Sequence, residues 1–278
     1  MYAGAGSRSG GTVKRSKLLG KVAIVTGASS GIGRATALAL AREGVDVALA
    51  ARTESALRQV AGEIGTLGRE ALVVPADVTC RSEVDDLVAA TVARWGHIDI
   101  LVANAGAYVR SSIVDLTVEE VERSMAVNFY GALYTVLAAQ PTLLVQGSGH
   151  IVLVSSVDGK KGLPLDAPYV AAKFALAGYG EVLRQELRDE GIAVSTIFPG
   201  RVDTPLIDDL EVPRVSGKIP PQAVARAIVD AILHKTPEVV IPFQARLLCL
   251  VNAVVPRLAD WFVRVFCLQG WETENAPD

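Results

Sequence analysis

The sequence predicts an α/β protein built on a doubly wound, parallel sheet of seven strands, and two observations carry this prediction. Short runs rich in β-branched residues alternate with helix-length segments rich in Ala, Leu, Glu and Arg. The strand runs are largely apolar, as expected when helices cover both faces of a parallel sheet. The seven runs are residues 21–26, 45–50, 71–74, 98–103, 150–155, 192–197 and 238–242.

Composition favours one α/β domain with short extensions. The chain has 278 residues, of which 50% are hydrophobic, and a net charge of -3, which disfavours nucleic acid as a partner. Its three cysteines and three histidines are scattered, so neither a disulfide framework nor a metal site is indicated. Without repeats or linkers, we expect a disordered segment at 1–17, a nucleotide-binding domain at 18–242 and a helical extension at 243–278.

A glycine-rich turn joins the first strand to the first helix. Thr26 is followed by the spacing Gly-x-x-x-Gly-x-Gly, and a helical run extends from Arg34 to Arg42. Glycines let backbone amides approach a pyrophosphate, and the helix N-terminus adds partial positive charge. A purely structural tight turn is the alternative. The residues assigned to cofactor binding here are Gly27, Ser29, Ser30, Gly31, Ile32 and Gly33.

The end of the second strand bears on the choice of cofactor. A carboxylate at this place would bind the ribose hydroxyls of NAD(H), but the chain has Ala51, Arg52 and Thr53. Arg52 offers a planar set of donors suited to a 2′-phosphate, so the residues favour NADP(H) over NAD(H). The alternative is a solvated arginine at the start of the next helix.

Three polar residues further along the chain could move a proton. Tyr169 and Lys173 are four residues apart in a segment predicted to be helical over 168–190, and Ser156 ends the fifth strand run. One helical turn places the ammonium beside the phenol, where its charge favours the phenolate. Taken alone, a Tyr-x-x-x-Lys spacing also arises by chance.

Together these motifs resemble the short-chain dehydrogenase/reductase family, in its single-domain branch with a Rossmann-type sheet. The resemblance covers about residues 18–242. The motifs are the glycine turn, Asn104-Ala105-Gly106, Ser156 and Tyr169-x-x-x-Lys173, with Asp77-Val78, Asn128 and Pro199 to Thr204 in the expected order. Ala103 departs from the usual first asparagine, without expected effect on the chemistry.

The resemblance implies a role for each matching residue. Tyr169 would be the acid/base, Ser156 would orient the substrate oxygen, Lys173 would lower the tyrosine pKa and hold the nicotinamide ribose, and Asn128 would anchor a proton-relaying water. Further cofactor contacts are implied for Asp77, Val78, Asn104, Ala105, Gly106, Pro199, Gly200, Val202 and Thr204. Two alternatives stay open: Asn128 could be a mid-helix residue that bonds backbone, and Asp77 could cap the next helix.

These roles predict hydride transfer between NADP(H) and a ketone or secondary alcohol. The alternatives are an NAD-linked dehydrogenase of the same family and a cofactor-binding redox sensor without turnover, although a sensor has no need of Ser156. A sugar-nucleotide epimerase or dehydratase would require a larger C-terminal substrate domain than this length provides.

The substrate pocket is expected between the segments 107–113, 157–167 and 205–219. Leu163, Leu165, Leu206, Ile207 and Leu210 predict a partly apolar substrate, whereas Lys160, Lys161, Asp208, Asp209 and Glu211 are expected at the rim or in solvent. The stretch 205–219 is long enough to act as a lid.

The extension is predicted to hold two helices, Phe243–Val254 and a second one opened by Pro256. Charged residues disfavour a membrane span. We expect residues 244–268 to pack on the protein's own body or a sister subunit, or else to lie at a membrane surface. Apolar positions on several sides of the helix 170–187 predict a homodimer or homotetramer. The expected location is the cytoplasm, either free or peripheral to a membrane.

Overall fold

The computed structural model describes residues 16–272, apart from the side chains of Arg214 and Glu272, so the predicted disordered segment lies almost wholly outside the described part. Seven strands form one parallel sheet in the order β3-β2-β1-β4-β5-β6-β8, and β7 and β9 form a short antiparallel pair. The strands are β1 Val22–Thr26, β2 Asp46–Ala51, β3 Ala71–Pro75, β4 Ile100–Ala103, β5 Gly149–Val154, β6 Ile192–Pro199, β7 Leu210–Glu211, β8 Glu238–Ile241 and β9 Trp271–Glu272. The predicted fold class is confirmed.

Helices connect the strands and cover both faces of the sheet. They are α1 Gly31–Arg42, α2 Glu54–Thr66, α3 Arg81–Trp95, α4 Val118–Met125, α5 Gly131–Gln146, α6 Ala167–Glu186, α7 Pro221–His234, α8 Phe243–Val254 and α9 Pro256–Val265. The helix predicted over 168–190 is four residues shorter at its C-terminal end, where Gly191 turns the chain with a φ of 74°.

Two apolar layers hold the helices to the sheet. On one face α1, α2 and α7 pack through residues such as Leu40, Leu57 and Ile228, all fully buried. On the other face α3, α5 and α6 pack through residues such as Leu87 and Leu143. Because both faces are covered, β1 and β4 are buried along their whole length, which explains their uninterrupted apolar sequence.

The strand order determines where a ligand can lie. After β1 the chain builds the sheet on one side with β2 and β3, and after β3 it crosses over so that β4 lies on the other side of β1. The connections that follow β1 and β4 therefore run in opposite directions from the carboxyl ends of these strands. In open α/β sheets a crevice forms at this switch point. Every predicted motif follows the carboxyl end of a strand or lies on the helix beside one.

The C-terminal extension folds back over the body of the protein. Helices α8 and α9 pack against each other, and β9 pairs with β7 in the segment predicted as a lid. Within residues 16–272 no helix combines the length and apolarity that a membrane span requires. The extension therefore becomes part of the wall around the crevice.

The expectation that Lys161 lies at the rim or in solvent is wrong. The Lys161 side chain is only 9% exposed and forms an ion pair of 2.5 Å with Asp260 on α9. Lys160 forms an ion pair of 2.7 Å with Glu238 and lies over the ring of Phe198. The returning extension covers Lys161 and supplies its partner.

Candidate active site

One cleft of about 1200 Å³ lies at the carboxyl ends of the sheet strands. Pockets for small molecules commonly measure about 300–1,000 Å³, so this cleft has room for a cofactor and a substrate together. All predicted site residues line it except two, Gly33 and Asn128, which lie just behind its wall. The lining members are Gly27, Ser29, Ser30, Gly31, Ile32, Arg52, Thr53, Asp77, Val78, Asn104, Ala105, Gly106, Ser156, Tyr169, Lys173, Pro199, Gly200, Val202 and Thr204.

The turn between β1 and α1 is shaped by glycines that admit no side chain. Gly27 and Gly31 have φ angles of 65° and 54°, in the left-handed region that favours glycine. A Cβ on Gly33 would lie 2.1 Å from the carbonyl oxygen of Gly27. Gly33 therefore supports the turn by close packing, and its direct contact with a cofactor stays a prediction.

The cradle fits the pyrophosphate of a dinucleotide. Ser30 precedes α1 with an extended backbone, and its side chain does not cap the helix, so the first-turn amides of α1 keep their hydrogen-bonding capacity. A Cβ on Gly31 would come within 3.0 Å of Thr204, so the two sides of the cleft nearly meet here. This close approach leaves no room for a side chain at position 31.

The far end of the cleft fits an adenosine ribose. Arg52 is exposed at its edge and makes no ion pair with any residue of the described part, although its charge helps to lower the pKa of Asp77. The largest cause of the lowered pKa is the Thr79 amide, which donates to the Asp77 carboxylate at 2.9 Å. The residue before α3 is Cys80, so Asp77 does not cap this helix as the alternative supposed.

Tyr169 and Lys173 lie one turn apart on α6 and face Ser156 at the end of β5. All three are buried, with Tyr169 8% and Lys173 3% exposed. The Lys173 Nζ donates to the carbonyl oxygen of Val154 at 3.1 Å and lies 5.5 Å from the centre of the Tyr169 ring. The structure thus brings the predicted acid/base group, ammonium and hydroxyl into one wall of the cleft.

Burial is the largest influence on the pKa values of Tyr169 and Lys173. It raises the pKa of the Tyr169 phenol well above its ordinary value; the Asp158 charge adds to the rise, and a hydrogen bond with Ser156 opposes it. Burial also lowers the pKa of Lys173 to about 8. The predicted lowering of the Tyr169 pKa by Lys173 must overcome this desolvation, and it stays a prediction.

Asn128 lies in a π-helical segment, Ala126–Tyr130, between α4 and α5. Its amide nitrogen donates to the carbonyl oxygens of Ala107 and Ser124 at 2.8 and 3.0 Å, and its oxygen accepts from the Ala107 amide at 3.2 Å. Asn128 therefore bonds backbone, as the alternative supposed, and its place in a proton relay stays a prediction. A Cβ on Gly106 would lie 2.8 Å from the Asn128 oxygen and 3.7 Å from Lys173 Nζ, so Asn128 and Lys173 flank the same glycine.

A buried charged cluster beside Tyr169 was missed by the sequence analysis. Asp166 is 1% exposed and accepts hydrogen bonds from the Tyr108 hydroxyl at 2.9 Å and from Arg110 Nε at 3.1 Å. Asp158 accepts a hydrogen bond from Ser156 at 3.0 Å, and Arg201 donates to the Leu268 carbonyl oxygen. The only signal in the sequence was an acidic residue two positions after Ser156.

Another part of the cleft lining is apolar. Leu163, Leu206, Ile207 and Leu210 line it as predicted, whereas Leu165 is 40% exposed and lies outside the cleft, so its assignment is wrong. The extension supplies most of the apolar wall, which the sequence analysis did not foresee. Its lining residues include Phe243, Leu247, Leu248, Val251, Leu258, Phe262, Phe266 and Leu268.

Comparison with known proteins supports the family resemblance of these site residues. A family model described as short chain dehydrogenase matches residues 21–213, which include the glycine turn, Ser156, Tyr169 and Lys173. The chain belongs to the short-chain dehydrogenase family. Membership of this family makes the chain an oxidoreductase. The glycine turn and the Tyr-x-x-x-Lys spacing, on which the resemblance was based, lie within the matched residues.

Relatives in this family include an uncharacterized oxidoreductase of Staphylococcus epidermidis, 40% identical over 216 residues that make up 78% of this chain and 92% of the relative. The uncharacterized oxidoreductase YxnA of Bacillus subtilis is 36% identical over 258 residues, 89% of this chain and 72% of that protein. This longer match extends the likeness into the C-terminal extension.

Two solved structures share the fold. An alcohol dehydrogenase of the archaeon Thermococcus sibiricus, complexed with 5-hydroxy-NADP, superposes with a TM-score of 0.73 at 31% identity and covers 80% of this chain and 95% of its own. A variant of the actinorhodin polyketide ketoreductase with NADPH gives a TM-score of 0.74 at 31% identity, with the same coverage. The seven-stranded domain is the shared part.

Proposed function

We propose that this short-chain dehydrogenase transfers hydride between NADP(H) and a ketone or secondary alcohol. The observation that carries the proposal is the convergence of Tyr169, Lys173 and Ser156 on one buried wall of the cleft, with Asn128 behind it. A nicotinamide bound in the cleft would supply the hydride for reduction or accept it in oxidation.

The residues of the chain would handle the substrate oxygen and its proton. Tyr169 gives a proton to the carbonyl oxygen in reduction and takes it back in oxidation. The Ser156 hydroxyl holds the same oxygen as negative charge develops on it. Lys173 provides a positive charge one turn from the phenol, and Asn128 offers the proton-relay position that the family resemblance implies.

Preference for NADP(H) over NAD(H) is supported by Arg52. Its guanidinium is exposed at the ribose end of the cleft without an ion pair in the described residues, and no carboxylate occupies the end of β2. A guanidinium binds phosphate through paired hydrogen bonds, which an unphosphorylated ribose cannot offer.

A partly apolar substrate fits the wall that the extension provides. The polar catalytic groups line the same cleft as the apolar residues Leu248, Val251 and Phe262. A ketone with a long apolar chain would place its carbonyl beside Tyr169 and its chain against α8 and α9. We expect the efficiency of reduction to rise with the length of that chain.

Replacing the phenol tests the proposal. The purified protein is mixed with NADPH and a panel of ketones graded by chain length, and oxidation of the cofactor is followed by absorbance. Tyr169→Phe should lower kcat by at least about a hundredfold, the usual contribution of a positioned acid. Tyr130→Phe, which removes an equally simple hydroxyl from a ring 43% exposed outside the cleft, is the matched control.

Two outcomes would contradict the assignment. Undiminished turnover in Tyr169→Phe would remove the acid/base role. Tight binding of NADPH with no turnover of any ketone or alcohol would favour the redox sensor instead.

Location and assembly stay predictions. We expect a cytoplasmic homodimer or homotetramer, with α6 as a contact, and residues 244–268 in contact with the body, a sister subunit or a membrane surface. Phe174 and Val182 on α6, and Phe243 and Trp261 on the extension, are at least 45% exposed. Sedimentation of a lysate, with and without salt or detergent, separates a larger soluble species from a membrane-bound one.

A further inference from the structure

A second acidic group is built into the catalytic wall. Asp158 lies in the short 3₁₀ turn Val157–Gly159 directly after Ser156, and the residue lines the cleft. The Asp158 amide donates to Ser156 Oγ at 3.1 Å, and the Ser156 hydroxyl donates to Asp158 Oδ2 at 3.0 Å when that carboxyl is ionised. A protonated carboxyl would reverse the second bond. One residue therefore makes two hydrogen bonds to the hydroxyl that we assign to the substrate oxygen.

The other carboxyl oxygen has no partner. Asp158 Oδ1 is buried, and no donor of the described residues reaches it. A buried oxygen without a donor is far more costly on a carboxylate than on a neutral carboxyl group. The local hydrogen bonding therefore favours a protonated Asp158.

The surrounding charges have mixed signs. Tyr108 approaches from the loop after β4, Asp166, Tyr169 and Lys173 from the start of α6, Arg201 from the end of β6 and Cys249 from α8. Asp166 opposes a charge on Asp158, whereas Arg201 and Lys173 favour it. Burial exceeds these effects and, with Asp166, raises the pKa of Asp158 to about 7.

We propose that Asp158 is a positioning residue whose proton directs the Ser156 hydroxyl towards the substrate oxygen. A serine hydroxyl has one proton and two lone pairs. When Asp158 is protonated, its amide and its carboxyl O–H occupy both lone pairs of Ser156 Oγ, so the Ser156 proton is free to bond a substrate carbonyl. When Asp158 is ionised, it accepts that proton itself.

Ionisation of Asp158 would then impair carbonyl reduction in two ways. Ser156 loses its role as a donor, and the carboxylate charge opposes the negative charge that develops on the substrate oxygen. The Asp158 proton is not transferred during the reaction, because Tyr169 supplies the proton that the product gains. This inference rests on the proposed function.

The test is the pH profile of kcat/KM for ketone reduction in the wild type and in Asp158→Asn. Asparagine keeps the shape and can donate to Ser156 at every pH. Wild-type activity should fall as the pH rises above about 7, whereas Asp158→Asn should fall only as Lys173 loses its charge above about 8. The variant should exceed the wild type by up to about 30-fold at pH 8.5. Asp189→Asn, an exposed carboxylate of the surface turn after α6, should follow the wild type.

Asp158→Ala and infrared spectroscopy complete the design. Alanine also removes the charge but leaves only the backbone amide of residue 158 to hold Ser156. This variant should therefore lose the fall in activity near pH 7 and have lower activity than Asp158→Asn at every pH. A carbonyl-stretch band of a protonated carboxyl should be present in wild-type protein at pH 6, absent in Asp158→Asn, and lost as the pH rises.

The outcomes separate the two hypotheses. Absence of the infrared band, or an unchanged pH profile in Asp158→Asn, overturns the role of Asp158 even if ketones are reduced. A titrating band without turnover of any carbonyl compound overturns the proposed function, and with it the donor role of Ser156.

Discussion

Replacing Gly33 by alanine tests the packing that shapes the turn between β1 and α1. The added Cβ would lie 2.1 Å from the Gly27 carbonyl oxygen and 2.6 Å from Asn104 Nδ2. Neither atom can withdraw freely, because the first is backbone and the second donates to the Thr26 carbonyl oxygen at 2.9 Å. Gly62 on α2 is the matched control, since a Cβ there meets nothing within 4 Å.

The two substitutions should change stability in opposite directions. Alanine in a helix interior is favoured over glycine by about 0.5–1 kcal/mol, so Gly62→Ala should raise the free energy of unfolding by about that amount. Overpacking commonly costs about 1–3 kcal/mol, and a contact with immobile backbone belongs at the upper end. Gly33→Ala should therefore be less stable than the wild type by about 2 kcal/mol, despite its higher helix propensity.

The same displacement should weaken the cofactor site. Moving Gly27 away from α1 moves the first-turn amides that would hold the pyrophosphate, and a loss of about 1.4 kcal/mol there is a tenfold loss of affinity. Urea unfolding measures the first effect, and titration with NADPH measures the second. If Gly33→Ala proves as stable as Gly62→Ala and binds NADPH like the wild type, the packing argument is refuted.

Three further predictions concern the cleft. Arg52→Ala should weaken NADPH binding by about 10–100-fold and leave NADH binding nearly unchanged, because only NADPH loses charged hydrogen bonds to its 2′-phosphate. The control, Arg58→Ala on the exposed side of α2, should change the affinity for neither cofactor. Phe262→Ala should lower kcat/KM about tenfold for long-chain ketones and little for short ones, and Trp261→Ala, whose ring is 53% exposed outside the cleft, is the control. Asp158→Asn should change how stability depends on pH, since the pKa of Asp158 rises from 3.8 to about 7 on folding. That difference of about 3 pH units, at about 1.4 kcal/mol each, means that the wild type loses about 4 kcal/mol relative to the variant as the pH rises from about 4 to 7. A constant difference between the two proteins from pH 5 to pH 8.5 would contradict the buried-acid argument.

The fold was predictable because its signals are local. Apolar runs such as 98–103 and 150–155 alternate with helical segments, and each motif residue follows a strand or lies on a helix beside one. Pro256 opens α9 as predicted, whereas the end of α6 was placed four residues too late, although Gly191 marks the turn that follows it. The catalytic wall followed from spacing, because residues four apart on one helix must share a face.

The contacts of the C-terminal extension were not predictable in this way. Its two helices were placed correctly, but nothing local reveals that they would line the cleft, pair β9 with β7 or bury Lys161 against Asp260. These contacts join residues about fifty to a hundred positions apart. Hydrophobic periodicity shows that a face must be buried, and it leaves the covering partner open.

By itself the sequence determined the parallel α/β sheet, the glycine turn and the pairing of Tyr169 with Lys173, since each depends on backbone geometry over a few neighbouring residues. Only the tertiary structure decided the electrostatics of the site. Asp158 and Asp166 look like ordinary surface carboxylates in the sequence, and it is the closure of distant segments over them that removes water. Desolvation depends on everything that surrounds a group, and the order of residues along the chain does not record that.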